Sequence, residues 1–263
     1  MPPSISDLFD LGGKTAVVTG SSRGIGRAIA ERLAEAGARV VVSSRKQEKC
    51  EEVVRAIGAR GGHATAVACN IGRKEELQRL VAETRNRYGG IDVLVCNAAV
   101  NPHYGPSQEI ADDAFDKVMG SNVRSNHWLC QMVIPEMAER QDGVVIIVSS
   151  VAGLTGSAVL GAYAISKAAD MQLARNLAVE WGPHNVRINC IAPGLVRTDF
   201  ARALWDSPEI HARAVAGTPL RRIGEPDDIA GAAVMLASRA GRFVTGQTIV
   251  IDGGVTIAAR GVG

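Results

Sequence analysis

Seven short apolar runs punctuate the chain: TAVVTG (15–20), ARVVVSS (38–44), ATAVACN (64–70), IDVLVCNAA (91–99), GVVIIVSS (143–150), VRINCIAPG (186–194) and QTIVIDGG (247–254). They are rich in β-branched residues and lack the polar alternation of a strand with one wet face. Such strands need cover on both faces, as in a parallel sheet. Helical spacing fills the intervals. Ile25, Ile29 and Leu33 repeat at that spacing between Arg23 and Gly37. A charged stretch from Lys46 to Ala59 reads as helix, as do a segment ending near Tyr88 and a long pattern from Ala111 to Arg140. So do a segment ending near Trp181 and one from Pro226 to Ser238. A polar arm precedes the first strand, and a polar, irregular segment runs from Leu195 to Gly224. Strand and helix alternate throughout. The expected fold class is therefore α/β: a doubly wound parallel sheet with helices on both faces and right-handed crossovers.

Composition narrows the partners. At 46% hydrophobic, with no Pro/Ser-rich linker, residues 1–263 suit a single domain. Lys and Arg number 29 against 27 Asp and Glu, a formal charge of +2. That balance gives no case for nucleic acid or an anionic membrane surface. No apolar run is long enough for a membrane span, and MPPSISDLFD lacks the pattern of a secretory signal. The five cysteines (Cys50, Cys69, Cys96, Cys130, Cys190) form no CxxC or zinc-like spacing. They read as small hydrophobes of a reducing, cytoplasmic protein with no metal site.

The residues able to do chemistry fall at strand ends: Gly20, Arg45, Asn70, Asn97, Ser150 and Pro193. Ligands of a parallel α/β sheet bind there. TGSSRGIG (19–26) puts glycines at 20, 24 and 26 between a strand and a helix. Glycine lets backbone approach a pyrophosphate, and the helix N-terminus attracts its charge. A site for NAD usually carries an acid at the end of the second strand. Here that place reads Ser43-Ser44-Arg45. Arg45, with Arg23, can meet a 2′-phosphate, which favours NADP(H) over NAD(H). Tyr163 and Lys167 lie four residues apart on a helix and share a face, with Ser150 thirteen residues before Tyr163. A free phenol titrates near pH ~10. A neighbouring ammonium favours its ionised form, as an acid/base working on a substrate oxygen requires.

Together TGSSRGIG, NAA (97–99), Asn122, Ser150, YAISK (163–167) and APGLVRT (192–198) resemble the short-chain dehydrogenase/reductase family, from about Leu11 to Gly254. The resemblance implies a Rossmann-like sheet of order 3-2-1-4-5-6-7. It implies a catalytic tetrad of Asn122, Ser150, Tyr163 and Lys167. In it Ser150 would bond the substrate oxygen, Lys167 the nicotinamide ribose, and Asn122 a water linking Lys167 to solvent. Cofactor contacts would come from Gly20, Ser22, Arg23, Gly24, Ile25 and Gly26, from Ser44 and Arg45, and from Asn70 and Ile71. Asn97, Ala98 and Ala99 would pass under the cofactor, while Pro193, Gly194, Val196 and Thr198 would meet the nicotinamide end. Residues 195–224 resemble the family's substrate lid, and Leu195, Phe200, Leu204 and Trp205 would face a small carbonyl or alcohol substrate. Two places depart from the common pattern. Asn70 stands where many members have Asp, and NAAVNPHYG replaces the usual NNAG. NAAVNP and VVVSSRK (40–46) are similar to the NADP-dependent carbonyl reductases of the family. The implied activity is ketone or aldehyde reduction and its reverse. The alternatives are a 3-oxoacyl-carrier-protein reductase, a sugar or steroid alcohol dehydrogenase, or a dinucleotide-sensing protein without catalysis. For the first, Gln141 and His184 stand where basic residues beside an entrance would be expected. The family's habit implies a homodimer or homotetramer.

Overall fold

The computed structural model describes residues 3–258. Residues 1–2 and 259–263 of the expected domain lie outside the described residues. The strands are β1 (Thr15–Thr19), β2 (Arg39–Ser44), β3 (His63–Ala68), β4 (Val93–Cys96), β5 (Gly143–Val148), β6 (Val186–Pro193) and β7 (Thr248–Ile251). They form one sheet of order β3-β2-β1-β4-β5-β6-β7. Every pairing is parallel.

Side chains alternate across the pleat, and both faces are buried. On one face Ala16, Val18, Val144, Ile146 and Val148 pack with α2 (Gly24–Glu35), α3 (Gln47–Gly58) and α9 (Pro226–Ala237). On the other, Val17, Val145 and Ile147 pack with α4 (Lys74–Tyr88), α6 (Ser125–Glu139) and α7 (Gly161–Trp181). This is why the strands read as unbroken apolar runs. All seven are shorter than the apolar runs that announce them, β4 and β7 most of all. Asn97 leaves the ladder after β4 to bond Thr19, and Gly253 and Gly254, both at positive φ, end the last run after β7.

Three expectations need correction. The polar arm contains a short helix, α1 (Ile5–Phe9), closed by a capping box between Ser4 and Asp7. The long pattern over 111–140 is not one helix. It breaks into α5 (Asp112–Val118), a π-helical turn at Met119–Arg124 and then α6. Within that turn Asn122 directs its amide to both main-chain groups of Val100, outside the helix. The irregular segment 195–224 holds α8 (Pro208–Ala216), capped where Ser207 Oγ accepts from the Ile210 N–H at 3.2 Å. No residue of α8 is buried. Among the described residues, no helix is long and apolar enough to cross a membrane.

Candidate active site

The end of β5 and the helix α7 carry three residues of the expected tetrad, Ser150, Tyr163 and Lys167. After β5 the chain passes through Ser149 and Ser150 into a 3-10 turn, Val151–Gly153. The buried Ser149 hydroxyl donates to the Lys167 carbonyl at 2.7 Å. A Cβ on Gly153 would lie 2.7 Å from the main-chain N of Ala168 and C of Lys167. Only glycine lets this turn lie so close to α7. Ser150 is thereby fixed beside the helix that carries Tyr163 and Lys167, and its Oγ accepts from the Ala152 N–H at 3.1 Å.

Lys167 is 2% exposed. Its Nζ donates to the Val148 carbonyl at 2.9 Å and to Asp170 Oδ2 at 3.0 Å, and lies 5.8 Å from the Tyr163 ring centroid. Burial opposes the ammonium, but the charge of Asp170, then that of Tyr163, outweighs it and holds Lys167 above the ordinary lysine range. Burial raises the carboxyl of Asp170, and Lys167 and Asn126 act against that rise. Asn122, fully buried, is tied to the loop after β4 and to α7. Its Oδ1 accepts from the Val100 N–H at 2.8 Å, and its Nδ2 donates to the Val100 carbonyl and to Ser166 Oγ, both at 3.0 Å.

The glycine loop has the form of an anion cradle. Gly20 and Gly24 adopt φ of +66° and +55°. A Cβ on Gly26 would fall 2.3 Å from Asn97 Nδ2 and 2.5 Å from the Gly20 carbonyl oxygen, so this glycine is required for packing. α2 opens at Gly24, one residue later than expected, with Arg23 as N-cap. No side chain caps it and its first turn has no acid, so its N-terminus retains its affinity for a phosphate. Ser22 Oγ donates to Ser44 Oγ at 3.0 Å, linking the loop to the end of β2. Arg45 follows at that edge and makes no ion pair among the described residues. Arg23 lies 3.5 Å from Asp199 of the segment after β6. These residues fit the pyrophosphate of a dinucleotide.

Other expected contacts have local roles. Asn97 Nδ2 donates to the carbonyls of Thr19 and Gly20, at 2.9 and 3.2 Å, and so shapes the loop. Ala98 and Ala99 continue past the end of β4. Ile25 packs on one core and Ile71 on the other. Asn70 Oδ1 accepts from the Gly72 N–H at 3.1 Å, an Asx turn leading into α4. Pro193 ends β6, and the Gly194 N–H donates to Ile251 at 2.9 Å. Val196 is buried and bridges to Gly224, which pinches the expected lid at its root. Thr198 lies against Gly24.

Within the lid, Phe200 tilts toward Tyr163, with ring centroids 6.0 Å apart. Leu195 and Leu204 are half-buried. The Trp205 indole N–H donates to the Thr198 carbonyl at 3.2 Å, and its ring lies under Arg197. That ties Trp205 to the lid root. A cavity of about 180 Å³ lies nearby, lined by Leu195, Val196, Leu220 and Gly253; neither Tyr163 nor Ser150 lines it. Sequence reasoning missed Asp170, Asn126 and Ser166. The available signal was a lone acid three residues after Lys167 and an amide four residues after Asn122.

A family model described as enoyl-(acyl carrier protein) reductase matches residues 20–256. Dehydrogenase/reductase SDR family member 4 of Oryctolagus cuniculus is 42% identical over 244 residues, covering 93% of this chain and 94% of the relative. The Homo sapiens protein of that name is 43% identical, covering 93% and 88%. Two solved structures each superpose with a TM-score of 0.92. One is a gluconate 5-dehydrogenase from Burkholderia cenocepacia in complex with NADP and tartrate, 33% identical over 97% of this chain and 100% of that one. The other is a 7α-hydroxysteroid dehydrogenase complexed with NADH and 7-oxo glycochenodeoxycholic acid, 38% identical over 96% and 98%.

Proposed function

The chain belongs to the short-chain dehydrogenase/reductase family, and from that premise we infer that it is an NADP(H)-dependent oxidoreductase interconverting a ketone or aldehyde and an alcohol. One observation carries the reading. Tyr163 and the buried Lys167 share a helix face, while Ser149 and Gly153 hold Ser150 against that same helix. The hydroxyl, the phenol and the ammonium are thus carried on or against one helix, and the Phe200 ring stands 6.0 Å from the phenol ring. The cofactor, when bound, supplies or accepts the hydride. Ser150 orients the substrate oxygen. Tyr163 gives that oxygen a proton in reduction and takes it back in oxidation. Lys167 stabilises the phenolate between turnovers.

Arg45, Arg23, Ser22 and Ser44 support NADP(H) over NAD(H). The carrier-protein alternative is weaker. Gln141 and His184, 3.3 Å apart, occupy the positions where the resemblance would lead one to expect Lys or Arg. Exposed Ile165 and Val179 on α7, and Phe115 on α5, support a self-associating face of a dimer or tetramer. Five buried, unpaired thiols support a reducing, cytoplasmic setting. The test is NADPH consumption with a panel of ketones and aldehydes, repeated with Tyr163→Phe. Loss of at least about 10²-fold in kcat, with NADPH binding retained, is expected. Near-full turnover of that variant on a good substrate removes Tyr163 from the chemistry.

A further inference from the structure

β3 is the outer strand of the sheet, so one of its two rows of backbone groups has no strand beside it. Just past its end, Cys69 donates its N–H to the Ser44 carbonyl at 2.9 Å, toward β2. Backbone groups alternate sides along a strand, so those of Ala66 and Ala68 face the free edge. A side chain from the first turn of α3 meets them there. Gln47 Oε1 accepts from the Ala68 N–H at 2.9 Å, and Gln47 Nε2 donates to the Ala66 carbonyl at 3.4 Å. A residue of a parallel neighbour bonds a strand in this way, taking the carbonyl of one residue and the N–H of the residue two later. The Gln47 amide thus stands in for one peptide of a further strand. Glu51, one turn along α3, steadies it by accepting from Nε2 at 3.1 Å.

α4 closes the same corner from the opposite face of the sheet. Arg79 donates to the Ala68 carbonyl at 2.8 Å, and Glu76 Oε2 accepts from the Asn70 N–H at 2.8 Å. The Ala66 carbonyl, both main-chain groups of Ala68 and the Asn70 N–H are all held by side chains. The main chain is therefore fixed up to the turn that carries Asn70 and Ile71.

The place of this corner gives it a use. Ala68 pairs with Ser44 in the β2–β3 register, so the corner adjoins Ser44 and Arg45. Gln47 follows Arg45 by two residues and opens α3. One side chain thus ties the turn bearing Arg45 to the turn bearing Asn70 and Ile71. Ligands of a parallel sheet lie beyond these strand ends. In the proposed site these two turns flank the adenosine half of the cofactor. We propose that Gln47 is a positioning residue for that half: acting as a surrogate strand, it sets the gap between Ser44–Arg45 and Asn70–Ile71 and with it the affinity for the 2′-phosphoadenosine end of NADPH.

The proposal rests on the dinucleotide reading, and the experiment separates the two. Gln47→Met keeps the length of the side chain and its helix preference while removing both bonds. Gln47→Ala removes the side chain as well. Lys49→Ala, at an exposed position of the same helix away from the corner, is the control. NADPH and its fragment 2′,5′-ADP are titrated against each protein by calorimetry, and kcat is measured at saturating NADPH. Both Gln47 variants should bind NADPH and 2′,5′-ADP more weakly by the same factor, about three- to tenfold, with kcat changed by less than about twofold. The control should bind like the wild type. Unchanged affinities, or a loss for NADPH that 2′,5′-ADP does not share, overturn the proposal. So does a fall in kcat as large as the fall in affinity, which marks a general loosening of the fold. If the wild type binds neither nucleotide, the dinucleotide reading falls first and this proposal with it. If the wild type binds both and the Gln47 variants match it, only this proposal falls.

Discussion

In the proposed cofactor site Arg45 would take the place of a carboxylate that reads unphosphorylated ribose hydroxyls, and it makes no ion pair among the described residues. Its guanidinium is free to meet a phosphate. A charge-assisted bond of that kind is worth about 1.5–3 kcal/mol, or roughly tenfold to a hundredfold in affinity. Arg45→Asp should therefore weaken NADPH binding by that factor and change NADH binding by less than about threefold. Fluorescence titration with each nucleotide checks this, and equal losses for both would remove the phosphate from the argument. Arg23 is a lesser partner. It is already within reach of Asp199, and both side chains are largely exposed. Screening makes such a pair worth little, so a phosphate can displace it.

Elements differ in how well their residues announced them. The strands and α2 were legible because burial on one face or both imposes a period that survives in the residue types. The π-helical turn was not, since its cause is the bond from Asn122 to Val100, distant in sequence. α8 was hidden because nothing in it is buried. At the candidate site, spacing placed Tyr163 and Lys167 on one helix face, and only the family resemblance singled them out with Ser150. Asp170 was not, because an acid in a helix reads as part of its wet face until the fold turns that face inward. α9 shows what charge adds to an element. Its first turn holds Asp228, which accepts from the Glu225 N–H at 2.7 Å and pairs with Arg222. The hydrogen bond from Arg222, then that from Glu225, lowers Asp228 to about 2. The unfolded carboxyl titrates near ~3.9. The stabilisation is therefore complete above pH ~4 and disappears as pH falls toward about 2. Much of the Asp228 side chain meets solvent, so its worth is at most about 1 kcal/mol. Asp228→Asn should lower the Tm by about 2–4 °C at pH 7 and leave it unchanged near pH 2, as thermal scans at both would reveal.

For the whole molecule, the sheet separates two cores, and β5 lies in its interior with both faces buried. Ile146→Ala would open a void where relaxation is limited on every side, at a cost of about 2–5 kcal/mol. Its Tm should drop by roughly 5–15 °C in a single transition. A drop below about 2 °C would mean that the neighbouring layers close the void. The strand order has a further effect while the chain is being made. β1 is flanked by β2 and β4, and β4 begins only at Val93. At ~5–20 residues per second, β1 leaves the ribosome on the order of several seconds before that neighbour exists. During that interval its second edge, Ala16 to Val18, is an unpaired row of backbone groups flanked by valines. The growing chain is therefore open to chaperone capture and edge-to-edge pairing until residues 93–96 emerge, and the glycine loop that follows β1 takes its final shape only when Asn97 arrives to hold it.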